Sequence, residues 1–312
     1  MRVLITGIAG QDGSILADLH LEKGDQVWGT VSNLRQELST KREGIRLLNI
    51  GESVITPRDL SELVPDRIYH VAAKHFSSTT KHESRTKNEA AMYSCHVTAT
   101  RNILEWQIQN PNAKSLIALS SQMYKPTTRE TIISEDTECR PQNYYAHTKL
   151  EALNLVRYYR EKYGVKSAGA ILFNHTSIRS KRDFLFPKLA FEIANVISNS
   201  SDSIFLDFAD TLIDICHAEE ICLGMKQLLD LEEPRELVFS SGRLLPVSEI
   251  IKETMILFGF NGQYNLKSRR GSVLPSNFLR GDPSLAKTLL GWQTKLTPWE
   301  ILLQQVRLAL TS

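Results

Sequence analysis

The sequence predicts an α/β protein in which a doubly wound parallel sheet carries a smaller C-terminal lobe. In the first half of the 312 residues, short β-branched runs alternate with longer amphipathic stretches, as they do in a parallel sheet covered by helices. After Asn174 this alternation loosens. The length also exceeds that of one typical domain, which favours a second lobe.

Six short runs in the first half, each rich in apolar and β-branched residues, predict the strands of the sheet. These predicted strands are Arg2–Thr6, Gln26–Val31, Ile45–Ile50, Asp66–Ala72, Ser115–Ser120 and Lys166–Phe173.

Three amphipathic stretches predict the helices that cross between these strands. They are Asp12–Lys23, a long helix from about Arg85 to Gln109, and Tyr144–Tyr163. The second half predicts short strands and helices around a polar connector, followed by two C-terminal helices. These pieces are strands Ser203–Phe205 and Leu212–Ile215, helices His217–Leu229 and Val247–Leu257, and connector Gly259–Gly271.

The resulting division of the chain places residues 1–173, together with about 211–240, in the sheet domain. Residues 174–210 and 241–312 form the predicted lobe.

Composition excludes several classes of protein. The net charge is +2, from 37 basic and 35 acidic residues, so no nucleic-acid or membrane partner is predicted. The N-terminal apolar run is too short for a signal peptide, which favours a cytoplasmic protein. The four cysteines are scattered and the eight histidines form no ligand-like pair. Reduced thiols and the absence of a metal site are therefore expected.

A glycine-rich loop joins the first predicted strand to the first predicted helix. Gly7, Gly10 and Gly13 stand three residues apart, the spacing of a turn whose backbone approaches a pyrophosphate at a helix N-terminus. This placement predicts a Rossmann-type dinucleotide site that also includes Gln11 and Asp12.

The residues after the second predicted strand bear on the choice of dinucleotide. NAD-selective sites usually have an acidic residue there, whereas this chain has Ser32, Asn33 and Arg35. Arg35 suits a 2′-phosphate, so NADP is preferred, with NAD left open. Asn49, which ends the third strand, is expected to hydrogen-bond the adenine edge.

Tyr145 and Lys149 open the helix that follows the fifth strand, and Ser120 ends that strand. Residues four apart share one helix face, so the Lys149 ammonium is expected to lower the pKa of the Tyr145 phenol. The phenol then becomes usable as a general base. The sequence therefore predicts a Ser–Tyr–Lys catalytic group.

With these motifs the chain resembles the extended short-chain dehydrogenases, and more narrowly the GDP-mannose 4,6-dehydratase branch. The resemblance implies a nicotinamide cofactor, a GDP-linked nucleotide sugar held by the C-terminal lobe, and a homodimer or homotetramer formed through the long helices. It rests on TGIAGQDGS, ALSSQMY, YAHTK, ILFNHTS at Ile171–Ser177, DICHAEE at Asp214–Glu220 and GDPSLAKTLLGW at Gly281–Trp292.

The same resemblance implies roles for individual residues. Ser120 would hydrogen-bond the sugar O4, Tyr145 would act as the base, and Lys149 would assist it. Ala72 and Ala73 are assigned to the cofactor. The residues assigned to the substrate are His75, Ser77, Ser121, Asn174, Lys188 and Arg269 or Arg270. Because His75, Phe76 and Ser77 depart from the branch pattern, a sugar larger than mannose is one hypothesis.

One departure bears directly on the reaction. Gln122 stands where the dehydratases have the glutamate that removes the C5 proton. A carboxamide cannot act as a general base, and such a loss costs roughly a hundredfold to ten-thousandfold in rate. We therefore favour chemistry confined to C4, namely 4-keto reduction, 4-hydroxyl oxidation or epimerisation.

Two alternatives remain open at this point. One is a true 4,6-dehydratase that uses Glu130, Glu135 or a water molecule in place of the glutamate. The other is a non-catalytic dinucleotide sensor.

Overall fold

The structure, a computed structural model, describes residues 1–33, 43–51, 53–74, 85–125, 129–206, 211–269 and 278–311 of the chain. It divides into two compact units. The first unit comprises Met1–Lys125, Glu135–Leu172 and Cys222–Val238, and the second comprises Pro126–Ser134, Phe173–Ile221 and Phe239–Ser312. Residues 126–134 and 211–221, which the sequence-based division gave to the sheet domain, thus lie in the second unit.

The strands are numbered here in chain order. They are β1 Arg2–Thr6, β2 Gln26–Val31, β3 Ile45–Asn49, β4 Arg67–His70, β5 Lys114–Ala118, β6 Thr131–Ile133, β7 Lys166–Leu172, β8 Asn174–Thr176, β9 Ser203–Leu206, β10 Leu212–Ile213, β11 Ile215–His217, β12 Glu236–Phe239, β13 Leu245–Pro246, β14 Asn265–Ser268 and β15 Leu279–Gly281.

The α-helices are numbered in the same way. They are α1 Gln11–Leu21, α2 Pro57–Leu63, α3 Arg85–Tyr93, α4 Ala99–Ile108, α5 Tyr144–Tyr163, α6 Leu185–Ile197, α7 Ala218–Leu228, α8 Val247–Phe258, α9 Ser284–Leu290 and α10 Pro298–Leu310. No α-helix in the described part of the chain has the length and apolar character needed to cross a membrane.

A seven-stranded sheet forms the centre of the first unit. Its strand order is β12-β7-β5-β4-β1-β2-β3, and the pairings from β3 across to β7 are parallel. The order reverses between β1 and β4, and ligands of such sheets bind beyond the carboxyl ends of the strands at this switch point. The loops after β1 and β4 are therefore the expected place for a cofactor.

The long helix predicted from about Arg85 to Gln109 is interrupted by a π-helical turn. Ser94–Thr98 forms this turn between α3 and α4, which adds one residue to the helical repeat and changes the direction in which nearby side chains point. Thr100, near the start of α4, donates a 2.6 Å hydrogen bond from its hydroxyl to the carbonyl of His96 in the turn. A side chain of α4 thus bonds a backbone carbonyl of the turn.

The second unit has its own apolar core, which packs α6, α8 and α10 around β9. The buried side chains of this core include Phe186, Leu189, Ile193, Ile204, Leu206, Ile250, Ile251, Ile301, Leu302 and Val306. Burying these side chains removes a large apolar area from water, which is the main favourable term in folding.

Residues of two sequence motifs, Asp214–Glu220 and Gly281–Trp292, form hydrogen bonds within this second unit. The buried Asp214 carboxylate accepts a 2.8 Å hydrogen bond from the backbone N–H of Ser241 and a 3.0 Å bond from that of Gly281. The Trp292 indole N–H donates a 2.7 Å bond to the carbonyl of Glu220. Buried polar groups need such partners, so these motif residues act in the architecture of the unit.

Candidate active site

The loop after β1 brings backbone, rather than side chains, up to the carboxyl edge of the sheet. Gly7 has a φ of +70°, and a Cβ at this position would lie 2.8 Å from the Cα of Ala72 beyond β4. Gly13 is equally confined, because a Cβ there would lie 2.4 Å from the Gly7 carbonyl oxygen. Only glycine combines this conformation with these close approaches.

Helix α1 begins directly after this loop, and its N-cap residue is Gly10. The Gly10 N–H donates a 2.9 Å hydrogen bond to the Gly7 carbonyl, which closes the turn. A glycine cap has no side chain to occupy the amides of the first helical turn, and such amides bind phosphate groups. The loop therefore fits the pyrophosphate of a dinucleotide, with Gln11, Asp12 and Gly13 in the first turn.

The other described residues assigned to the cofactor lie at the ends of other strands of the first unit. Asn49 ends β3 and its side-chain carbonyl accepts a 3.1 Å bond from the N–H of Gly51. Ala73 is exposed beyond β4. Arg35, on which the NADP prediction depends, lies outside the described residues.

A buried histidine that the sequence analysis missed connects β1 with β4 and the π-helical turn. His70 Nε2–H donates to the carbonyl of Cys95 at 2.9 Å, so Nδ1 accepts from the Thr6 hydroxyl at 2.7 Å. The same hydroxyl oxygen accepts the N–H of Ala72 at 3.3 Å. Burial lowers the pKa of His70 to about 3, so a neutral ring fixes the loop around Ala72.

The three predicted catalytic residues come together in the first unit. Asn143 caps α5 and accepts the N–H of Ala146 at 2.9 Å, which fixes the start of this helix. The Tyr145 phenol is hydrogen-bonded to the Ser120 hydroxyl. The Lys149 ammonium lies 5.8 Å from the centre of the Tyr145 ring and donates a 2.7 Å bond to the carbonyl of Ala118.

The electrostatics of this group correct one expectation. Burial raises the pKa of Tyr145 to about 12, although the hydrogen bond with Ser120 acts in the opposite direction. Burial likewise lowers the pKa of Lys149 to about 8. The expected lowering of the phenol pKa is therefore not found, because burial disfavours the phenolate more strongly than the hydrogen bond with Ser120 favours it.

Gln122 lies at the same edge of the first unit, in the short 3₁₀ turn Ser121–Met123. Its backbone N–H donates to the Ser120 hydroxyl oxygen at 3.2 Å, and its side-chain carbonyl accepts from the Asn143 amide at 3.3 Å. Because the Asn143 oxygen is already used in capping α5, its NH₂ group must face Gln122. The backbone of Gln122 is thus held against the Ser120 hydroxyl, while its carboxamide is held by Asn143 at the start of α5.

The two acids proposed as substitutes for the missing glutamate have structural partners. Glu135 accepts a 2.7 Å hydrogen bond from the N–H of Val238. Glu130 forms an ion pair with Arg280. Each carboxylate is therefore already engaged by another group of the protein.

The described residues assigned to the substrate are divided between the two units. Ser121 lies in the first unit, while Asn174, Lys188 and Arg269 lie in the second. The Asn174 amide donates to the carbonyl of Asp214 at 3.3 Å, and Lys188 is exposed on α6. Arg269 is paired with Glu192 at 2.6 Å. His75, Ser77 and Arg270 lie outside the described residues.

Among the described residues, no group of three or more His, Cys, Asp or Glu side chains is arranged to hold a metal ion.

Comparison with known proteins identifies close relatives over almost the whole chain. The family model for GDP-mannose 4,6 dehydratase matches residues 4–304. A GDP-mannose 4,6-dehydratase of Yersinia enterocolitica is 29% identical over 351 aligned positions, which cover 98% of this chain and 92% of that protein.

Solved structures show the same fold at lower identity. UDP-glucuronic acid 4-epimerase from Bacillus cereus, in complex with UDP-glucuronic acid and NAD, has a TM-score of 0.79 at 19% identity and covers 99% of both chains. RMD from Pseudomonas aeruginosa, complexed with NADPH, has a TM-score of 0.72 at 18% identity and covers 100% of this chain and 99% of its own. The predicted Rossmann-type fold is confirmed.

Proposed function

The chain belongs to the GDP-mannose 4,6-dehydratase family, and we propose that it is an NAD(P)-dependent enzyme acting at C4 of a GDP-hexose-like nucleotide sugar. Membership of this family and the shared fold support a nucleotide sugar as the substrate. The observation that carries the C4 assignment is the group formed by Ser120, Tyr145 and Lys149. Gln122, whose backbone N–H is bonded to the Ser120 hydroxyl, adds a carboxamide rather than an acid to this part of the chain.

The roles of the catalytic residues follow from their positions. The Ser120 hydroxyl and the Tyr145 phenol bind the oxygen on C4, and Tyr145 exchanges the proton of that oxygen. When bound, the nicotinamide would give or accept the hydride at C4. Since the pKa of the phenol is raised to about 12, Tyr145 holds its proton at neutral pH. A protonated phenol is the form that serves as the general acid in reduction of a 4-keto group.

Gln122 argues against the further steps of a dehydratase. Removing the C5 proton requires a group that titrates near neutral pH, and a carboxamide does not. Glu130 and Glu135 do not replace it readily, because each is engaged by another protein group. Chemistry confined to C4 needs neither acid.

The choice of dinucleotide, the cellular location and the oligomeric state are also proposals. We infer NADP rather than NAD because Ser32 and Asn33 follow β2 where an acidic residue would favour NAD. A cytoplasmic location and assembly as a dimer or tetramer are part of the same proposal.

The reaction is tested with GDP-mannose and with its 4-keto-6-deoxy derivative, each in deuterated water with NADPH or NADP present. We expect the 4-keto compound to be reduced with consumption of NADPH, and GDP-mannose to yield no 6-deoxy product. Nuclear magnetic resonance of the products locates any deuterium. A 6-deoxy product labelled at C5 from the unaltered protein would establish the dehydratase alternative instead.

Two variants make this test specific to the described group. Tyr145→Phe should lose turnover while binding of the dinucleotide, followed by its fluorescence, remains. Gln122→Glu keeps an acceptor for the Asn143 amide and should gain exchange of the C5 proton. If no nucleotide sugar changes the redox state of the cofactor, the sensor alternative replaces the proposal.

A further inference from the structure

A second buried histidine contacts the catalytic tyrosine. His96 lies in the π-helical turn and is only 1% exposed. Its ring meets that of Tyr145 edge to face, with 5.3 Å between the ring centres and 88° between the planes. Its two nitrogens face the backbone N–H of Lys74, at 3.1 Å from Nε2, and the Thr148 hydroxyl, at 2.8 Å from Nδ1.

The hydrogen-bond partners fix the protonation of this ring. The backbone N–H of Lys74 can only donate, so Nε2 carries no proton. The Thr148 hydroxyl donates its own proton to the carbonyl of Tyr145 at 2.8 Å, so its oxygen accepts from Nδ1–H. His96 is therefore neutral with its proton on Nδ1, and each bond in the chain has one donor and one acceptor.

This chain of bonds connects two segments that the proposed function uses. Lys74 follows Ala72 and Ala73, which are assigned to the cofactor, and Thr148 lies in the first turn of α5 with Tyr145. The His96 ring also contacts the Tyr145 side chain directly. The imidazole thus restrains both the backbone and the ring of the catalytic residue.

We propose that His96 is a positioning residue for the chemistry at C4, holding Tyr145 in register with the loop after β4. The inference rests on the proposed function for its catalytic consequence. His96 does not exchange protons with the substrate, because its bare nitrogen is occupied by a backbone amide. Its effect is on the geometry of Tyr145, and errors of an ångström at such a group cost up to about a hundredfold in rate.

Three substitutions separate positioning from simple packing. His96→Asn places an amide near Nδ1 and keeps a donor for Thr148, whereas His96→Gln places its oxygen near Nε2 and keeps an acceptor for Lys74. His96→Phe keeps the ring against Tyr145 but neither bond. We expect His96→Phe to lower kcat roughly tenfold to a hundredfold, with the KM for the nucleotide sugar changed little. His96→Asn should retain more of kcat than His96→Phe.

A double-mutant cycle tests whether the effect passes through Thr148. Thr148→Val should lower kcat, and adding it to His96→Phe should lower kcat no further, since the two substitutions break the same bond. Unchanged kcat in His96→Phe, or additive losses in the double variant, would overturn the proposal. Circular dichroism and dinucleotide binding show whether each variant is folded.

A measurement without substrate keeps this inference separate from the proposed function. Nitrogen-15 resonances of labelled histidine distinguish the two neutral tautomers, and His96→Gln assigns the signal. We expect the Nδ1–H tautomer at neutral pH, with a shift in Thr148→Val. An Nε2–H tautomer would refute the network even in an active enzyme. If every nucleotide sugar fails as a substrate while the expected tautomer is found, the proposed function fails and the network stands.

Discussion

Two helices of the first unit begin in different ways. Helix α1 starts after Gly10, which has no side chain to accept a hydrogen bond from the first turn. Helix α5 starts after Asn143, whose side chain accepts the N–H of Ala146 and donates to Gln122. Helix α1 follows β1 of the seven-stranded sheet, whereas α5 follows β6, which pairs with β15 in a separate two-stranded sheet. The side chain of the cap residue accepts a hydrogen bond in α5 but not in α1.

The difference separates two tasks. Amides at a helix N-terminus attract an anion, so the glycine-capped start of α1 presents backbone to a ligand. A capped start fixes the first turn of a helix, so α5 presents the side chains of Tyr145 and Lys149 in a defined place. Removing the cap side chain should therefore impair the positioning of side chains by α5. Adding a cap side chain should impair the binding of a ligand by α1.

The largest effect is expected at Lys149, on the α5 side of the comparison. Lys149→Met removes the ammonium beside Tyr145 and should lower kcat roughly a hundredfold, the usual cost of losing such a group. Since burial lowers the pKa of Lys149 to about 8, the unaltered enzyme should also lose activity as pH rises through that value. Below it, the ammonium is present and activity should be level.

Lys149→Arg is the matched control for this pH dependence. A guanidinium remains charged throughout the measurable range, so the decline near pH 8 should disappear even if the rate is lower. A decline that persists in Lys149→Arg would assign the titration to another group.

A smaller effect is expected when α1 is given the kind of cap that α5 has. Gly10→Asp adds a carboxylate at a backbone conformation open to any residue. It would accept from the first-turn amides and repel a pyrophosphate, weakening dinucleotide binding by about tenfold or more. Isothermal titration measures this, with Gly10→Ala as the uncharged control. Equal losses in both variants would mean that bulk, rather than charge, blocks the site.

The smallest effect is expected when the cap of α5 is removed. Asn143→Ala should lower the free energy of unfolding by about 1 kcal/mol, measured by urea denaturation. It should also reduce kcat several-fold less than Lys149→Met, because the helix remains in place. Asn143→Asp keeps the cap and serves as the control, and an unchanged unfolding free energy in Asn143→Ala would show that the cap contributes little.

Both helix starts were predictable from the sequence, because glycine spacing and the Tyr145–Lys149 pair are local signals. All six predicted strands of the sheet are present, and Tyr144–Tyr163 has the predicted bounds. The family predicted from the motifs is also confirmed. Local periodicity and short motifs therefore sufficed for six of the seven strands of the central sheet.

Other features depend on contacts distant in sequence. Strand β12 and helix α6 were not predicted. Strand β12 has only four residues, too few for a clear period. Helix α6 is amphipathic, with Leu189 and Ile193 buried and Lys188 exposed, so its helical period is a signal that the sequence analysis missed. The predicted direction of the pKa shift of Tyr145 was wrong, because the motif does not show that the phenol is buried. His70 and His96 were missed because an isolated histidine gives no sign of its partners.

The π-helical turn at Ser94–Thr98 has a consequence for chain length. An α-helix advances by about 100° per residue, so the extra residue sets the angular phase between α3 and α4. A one-residue deletion here would leave an uninterrupted helix of ordinary composition, yet α3 would be rotated relative to α4. Relatives that differ at this point by an insertion or deletion would differ in geometry even where the flanking residues are identical.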